Sequence, residues 1–301
     1  MSSESPDPLQ RQLDELLANL PAGGSATAGT SRGSNLPTPD LPAHDDSTAD
    51  DAKEASALDQ PDDYWHESRR PLASLCFSLP WLLIYEIGVW FRPPGELRNA
   101  ADVWLRNWLG MIGLGNYYWL LPILVVVILL AWQHVSGQPW RISHGVLPLM
   151  FVESCFLAVC LWGIARSRQW WYPLQILAGQ FPLIWGNWFL DTVQGFVDYA
   201  GAGVYEEFLF RLLLLPLTVA ILGLVGLQEP QKRWWVAIII TSLLFAAAHH
   251  VGGQEPWALW PFVFRTVAGL FFSILFLYRG YGIATGTHAL YDILVGILLK
   301  S

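Results

Sequence analysis

The chain has 301 residues, of which 53% are hydrophobic and only 14% charged, against about 25% charged in soluble domains. A soluble fold could hide that much apolar surface only in an unusually large core, so the composition argues for a bilayer and against an ordinary water-soluble domain. The formal net charge of −8 is concentrated at one end: residues 1–63 carry 13 Asp/Glu against 3 Lys/Arg, and residues 64–301 carry 12 against 14. The acidity therefore belongs to the tail, and neither a basic partner nor a nucleic-acid partner is expected.

In chain order, the N-terminus begins Met1-Ser2-Ser3-Glu4 without a basic segment ahead of an apolar one. No signal peptide is expected, and the first membrane helix is expected to direct insertion. Leu9, Leu13, Leu16, Leu17 and Leu20 recur at helical spacing, predicting a short amphipathic helix at 8–20 that lies on the membrane or docks a partner. Residues 21–63 are rich in Gly, Ala, Ser, Thr, Pro and Asp. They cannot bury enough apolar surface to offset chain entropy and read as disordered, which makes 1–63 an acidic disordered tail.

From residue 64 onward, apolar runs follow one another to residue 301. The expected fold class is all-α: a polytopic membrane domain over 64–301. About eight helices are placed near 71–91, 117–134, 145–165, 173–197, 203–227, 234–251, 257–278 and 281–299. Residues 92–116 are too polar to span, and Trp104, Leu105 and Trp108 suggest an interfacial helix there. Seventeen Trp residues suit a chain with many helix ends at lipid headgroups. No internal repeat is evident, which disfavours an inverted-repeat transporter. Arg69 and Arg70 argue for a cytoplasmic N-terminus. Arg92, Arg98, Arg106, Arg166, Arg168, Lys232, Arg233 and Arg279 argue the reverse, so basic residues leave the orientation open. Cys76, Cys155 and Cys160 fall in apolar runs without metal-type spacing and read as small buried hydrophobes.

An ionisable group inside a membrane segment costs several kcal/mol, on the order of 2.5–3.5 by insertion scales, so each one invites an explanation. Here they gather in the last four helices. Glu206, Glu207 and Arg211 open the fifth, His249 and His250 close the sixth, Arg265 lies in the seventh, and His288 and Asp292 lie in the eighth. Successive helices run antiparallel, so the start of the fifth and the end of the sixth reach the same level. His288 and Asp292, four residues apart, share one helix face. One cavity could collect all of them. Glu207 and Arg211 form an i,i+4 ion pair, which leaves Glu206 for general-base chemistry beside a histidine. The plain alternative is a set of buried polar links between helices. For Glu86, Glu153, Asp191 and Asp198, that packing role or interfacial exposure is the default reading. Arg265 is placed to balance the carboxylates of the cavity.

These segments resemble the CAAX prenyl protease and bacteriocin-processing (CPBP, or Abi) family of intramembrane endopeptidases. Its Glu-Glu-x-x-x-Arg motif is matched by Glu206, Glu207 and Arg211. Its Phe-x-x-x-His motif is matched by Phe245 and His249, which selects His249 over His250. Its His-x-x-x-Asn/Asp motif is matched by His288 and Asp292. Phe264, Gly269 and Tyr278 fit the segment between, and the likeness covers about 173–301. The resemblance implies an endopeptidase acting on a membrane-associated or lipidated protein substrate in contact with membrane lipid. Glu206 and His249 would activate water, His288 and Asp292 would support the oxyanion or bind a metal, and Glu207 and Arg211 would form the supporting pair.

Where many members have Asn, this chain has Asp292. An ionised Asp cannot donate to an oxyanion, so Asp292 is protonated, orients His288 or is a ligand. With Glu206, His249 and His288 it makes a plausible site for one divalent metal such as zinc, the alternative being no metal. The rival functions are a non-catalytic membrane partner, as in bacteriocin self-immunity or membrane-protein maturation, and an ion or proton transporter.

Overall fold

The computed structural model describes residues 61–93, 98–171, 188–251 and 257–298. The expected amphipathic helix at 8–20 and nearly all of the acidic tail lie outside the described residues. So does most of the helix expected at 173–197. Among the described residues every regular element is helical, as an apolar bilayer interior requires, since a helix satisfies its own backbone groups.

A short helix, α1 (Pro61–Glu67), leads into α2 (Pro71–Trp90), which has a proline in its first turn where no hydrogen bond is lost. α1 straddles the expected boundary between tail and membrane domain. The interfacial helix expected within 92–116 is α3 (Ala100–Met111), capped by the Asn99 side chain, which accepts from Ala101 N at 2.9 Å. It buries Ala101, Asp102 and Leu105 and leaves Trp108 exposed, the one-sided burial of a helix lying on a surface. α4 (Leu120–Val135) and α5 (Val146–Trp171) follow near their expected positions.

The described end of the helix expected at 173–197 continues into the one expected at 203–227. α6 (Trp188–Gly201) runs through π-helical stretches at Ala202–Glu206 and Phe208–Leu214 into α7 (Leu215–Leu224). The bounds 173–197 and 203–227 leave a gap that contains Gly201, but Gly201 has ordinary helical angles (φ −65°, ψ −42°). The glycines here serve contact instead. A Cβ on Gly201 would stand 2.2 Å from the Tyr85 ring, and one on Gly203 would stand 2.7 Å from Thr285 O. They let α2 and the C-terminal helix approach the middle of the rod.

α8 (Pro230–Ala248) returns antiparallel. The last stretch, Leu259–Ile293, breaks at Gly280 (φ 83°, ψ 174°), a backbone region open essentially to glycine alone. There it reverses direction: Phe272 stacks on His288 with centroids 4.5 Å apart, and Phe264 meets Tyr291 at 6.2 Å. A straight helix would separate residues 272 and 288 by about 24 Å. The stretch is thus an antiparallel pair, α9 (259–279) and α10 (281–293), as the sequence predicts, and a π-helical turn at Leu294–Leu298 ends it.

Among the described residues, four stretches are long and apolar enough to cross a membrane: Pro71–Trp90, Val146–Arg166, Thr192–Leu224 and Leu259–Gly296, the last containing the α9–α10 pair. α4 is apolar but has only 16 residues, and α8 opens on Gln231-Lys232-Arg233. One apolar cluster packs α2, α3 and α4 against α6 through Leu82, Tyr85, Leu105, Leu121, Val125 and Phe208. A second packs Phe77 and Met150 against Phe272 and Ile283. Many large apolar side chains on outer helix faces are exposed, among them Leu83, Ile87, Ile123, Val127, Phe156, Leu217 and Ile239. Their repeats three or four residues apart make apolar outer stripes suited to lipid.

Candidate active site

Glu206 and Glu207 sit where the helix carries its π-helical turns, a geometry that occurs mostly as short insertions and frequently at functional sites. Tyr281 reaches over from α10, its hydroxyl donating to Val204 O at 2.9 Å. Glu207 is fully buried, and Arg211 donates from Nη1 to its Oε1 at 3.0 Å, the intrahelical pair expected from the spacing. Arg211 also donates from Nη2 to Gly269 O at 3.3 Å, and its guanidinium lies 4.4 Å from the centre of the Phe245 ring. Gly269 is needed for this approach: a Cβ there would fall 2.9 Å from Ser242 Cα.

His288, on α10, brings Nδ1 to 2.7 Å from Glu207 Oε1. An ionised carboxylate only accepts, so Nδ1 carries the proton and Nε2 faces the other way. Phe272 stacks on one face of the imidazole, fixing its plane. His249 caps the C-terminus of α8, with Nδ1 2.8 Å from Phe245 O. A carbonyl also only accepts, so here too Nδ1–H donates and Nε2 is turned outward. Both Nε2 atoms lie 3.8 Å from Glu206 Oε2, and that oxygen accepts no hydrogen bond from the protein. Asp292 Oδ2 stands 3.6 Å from the same His288 Nε2. The four expected residues therefore come together from three helical segments, and Glu207, not Asp292, fixes the orientation of His288. Separations near 3.8 Å exceed direct hydrogen bonds but match what one shared water molecule spans.

One contact to Glu206 had no sequence signal. Asn99, ahead of α3, donates from Nδ2 to Glu206 Oε1 at 3.0 Å. Its neighbourhood is polar and paired. Tyr85 OH donates to Asp102 Oδ2 at 2.9 Å and accepts from Asn99 N at 3.3 Å. Asp102 takes Arg106 Nε at 2.6 Å and Arg98 Nη1 at 3.3 Å.

Glu86, Glu153 and Asp198 behave as packing links. Glu86 accepts from Tyr205 OH and lies 3.4 Å from Arg106 Nη2. Glu153 receives Arg279 on both oxygens at 2.6 Å, together with Tyr64 OH. Asp198 pairs with Arg92 at 2.7 Å. The Asp191 side chain is outside the described residues. Arg265 is within electrostatic range of His249 and Asp292. His250 points away from this cluster toward Phe262, at 6.0 Å.

Among the described residues no three His, Cys, Asp or Glu side chains are grouped as a metal-ion ligand set.

Among the described residues, an all-helical, apolar scaffold thus carries a glutamate oxygen that faces two outward-turned histidines. The family described as "Type II CAAX prenyl endopeptidase Rce1-like" matches residues 187–294, from the start of α6 through the end of α10. Over this segment the chain is similar to that family, and it is an integral membrane protein. No curated protein and no solved structure gives a significant match.

Proposed function

We propose that this protein is a multi-pass intramembrane endopeptidase that hydrolyses a peptide bond of a membrane-associated or lipidated protein, with Glu206 as the base that activates water. The observation that carries this reading is the state of Glu206. One carboxylate oxygen is held by Asn99, and the other is unclaimed and faces two Nε2 atoms at 3.8 Å. A water between Glu206 Oε2 and His249 Nε2 attacks the scissile carbonyl as its proton passes to Glu206. The C–N bond then breaks, and the same proton goes to the departing amine. His288, when protonated, donates from Nε2 to the oxyanion, and Asp292 lies beside it. Glu207 and Arg211 hold His288 and neutralise each other. In this reading each step is carried by the side chains named. The wider family likeness supports the substrate class, and the apolar outer stripes support a site served from the lipid phase.

The test is cleavage by the protein reconstituted in nanodiscs of two peptides, one carrying a C-terminal isoprenylated cysteine motif and one an unlipidated membrane-anchored sequence. Mass spectrometry would identify the products. Cleavage of either that is lost in Glu206→Gln supports the reading. No cleavage of either, with proton or cation flux in proteoliposomes that depends on Glu206, would replace it with the transporter reading.

A further inference from the structure

We propose that Asn99 is a positioning residue for Glu206, which makes the interfacial helix α3 part of the catalytic apparatus although it lies outside the family-matched segment. The inference rests on the peptidase reading above. Asn99 uses both ends of its side-chain amide. Oδ1 accepts from Ala101 N at 2.9 Å and caps α3, and Nδ2 donates to Glu206 Oε1 at 3.0 Å. The cap settles which end of the amide points where, because a backbone N–H can only be met by the oxygen. The nitrogen is thereby aimed at the carboxylate. The Asn99 backbone is held in turn by Tyr85, whose hydroxyl accepts from Asn99 N at 3.3 Å and donates to buried Asp102 at 2.9 Å. Tyr85 lies against the helix only because position 201 is glycine.

The consequence is an asymmetric carboxylate. A free glutamate rotates about its last bond and presents either oxygen. With Oε1 tied to Asn99, Oε2 is fixed toward the Nε2 atoms of His249 and His288. A base oriented before substrate arrives gains rate mainly through kcat, because the cost of ordering it is already met.

The two functions of the Asn99 side chain can be separated by substitution. Asn99→Ser keeps an oxygen that caps α3 but is too short to reach Glu206 as a donor. Asn99→Gln keeps an amide donor and is a poor cap. Positioning predicts that the Ser variant stays as thermostable as wild type yet loses at least tenfold in kcat, with KM within twofold. It also predicts that Gln is less stable but more active than Ser. A Ser variant with wild-type kcat, or activities that simply follow stability, would overturn it.

A second measurement does not depend on turnover. With Cys76, Cys155 and Cys160 replaced by Ala, an Asn99→Cys/Glu206→Cys pair should be joined by a short bifunctional thiol reagent in membranes. Absence of that crosslink overturns the inference alone. A crosslink in this variant, together with a wild-type protein that cleaves neither peptide, overturns the peptidase reading, and the positioning role with it.

Discussion

At the residue scale, the site separates the roles of two adjacent glutamates by what touches them. Glu207 takes Arg211 and His288 together on one oxygen, whereas Glu206 turns its unbonded oxygen toward the Nε2 atoms of two histidines. Glu206→Gln and His249→Ala are therefore expected to lower turnover by about 10²–10⁴-fold, the usual worth of general acid–base groups, with the proteins still inserted and folded. Turnover by the purified variants measures this, and wild-type rates in both would remove the assignment. Asp292→Asn asks a different question. If Asp292 supports the oxyanion, the amide supplies a donor of the same size, and activity holds or rises. If it contributes to a metal site, activity falls together with metal content and partly recovers with excess Zn²⁺. Elemental analysis beside turnover decides between them, and a fully active, metal-free, chelator-insensitive wild type selects the first.

At the scale of elements, glycines decide how closely the helices meet. Gly203→Ala would drive a Cβ to 2.7 Å from Thr285 O and 2.8 Å from Ala289 Cβ, both within the buried part of α10. Overpacking of this kind costs roughly 1–3 kcal/mol and moves His288 relative to Glu206, so both melting temperature and kcat should fall. Gly280→Ala strains the hairpin at φ 83° by on the order of 1–3 kcal/mol and should lower stability more than kcat. Thermal unfolding in detergent, read beside turnover, separates the two, and unchanged melting of both variants would contradict the packing account.

The same glycines show what the sequence conveys. Glu206, Glu207, Arg211, His249, His288 and Asp292 were legible because charge inside apolar runs is costly and spacing alone puts them at one level. The reversal at Arg279-Gly280 was legible from the pattern of the flanking runs. The continuous helix through Gly201 and Gly203 was not legible, since glycine in a helix marks either a break or a close contact, and only the partner across the gap, Tyr85 or Thr285, tells which. Asn99 was not legible at all. An Asn in a polar connecting stretch is ordinary, and its partner lies 107 positions away. Nothing in the composition of 202–214 signals the π-helical winding there.

At the scale of the whole molecule, the boundary of what the membrane domain needs falls at α1. Arg279, at the tip of the α9–α10 hairpin, donates from Nη2 to Ser68 Oγ at 2.9 Å and from Nη1 to Trp65 O at 3.3 Å. It also lies 3.8 Å over the Trp65 ring. Tyr64, from the same helix, reaches the Glu153 that Arg279 grips. Burial and this carboxylate push the Tyr64 phenol well above its usual value, so it remains a donor at any working pH. Removing residues 1–60 should leave cleavage of a short peptide within about twofold of wild type. Extending the deletion through residue 70 should lower the melting temperature and the rate, because it strips three partners from Arg279 and Glu153. Equal behaviour of the two truncations would show that α1 is dispensable. Loss of activity in the shorter deletion toward a full-length protein substrate alone would give the tail a recruiting role.

The pairing of Glu207 with Arg211 on one helix also bears on how such a chain is made. Synthesis runs from the N-terminus, so the helix holding Glu206, Glu207 and Arg211 reaches the translocon well before the His288 that meets them. During that interval the helix carries its own counter-ion four residues along, and Glu206 has Asn99, already translated, within reach. The segment can enter lipid nearly neutralised instead of waiting for its distant partner. Because His288 follows Glu207 by 81 positions, the candidate site comes together only after the helices between them have been made. On the peptidase reading proposed above, products that stop short of His288 would lack activity toward neighbouring proteins.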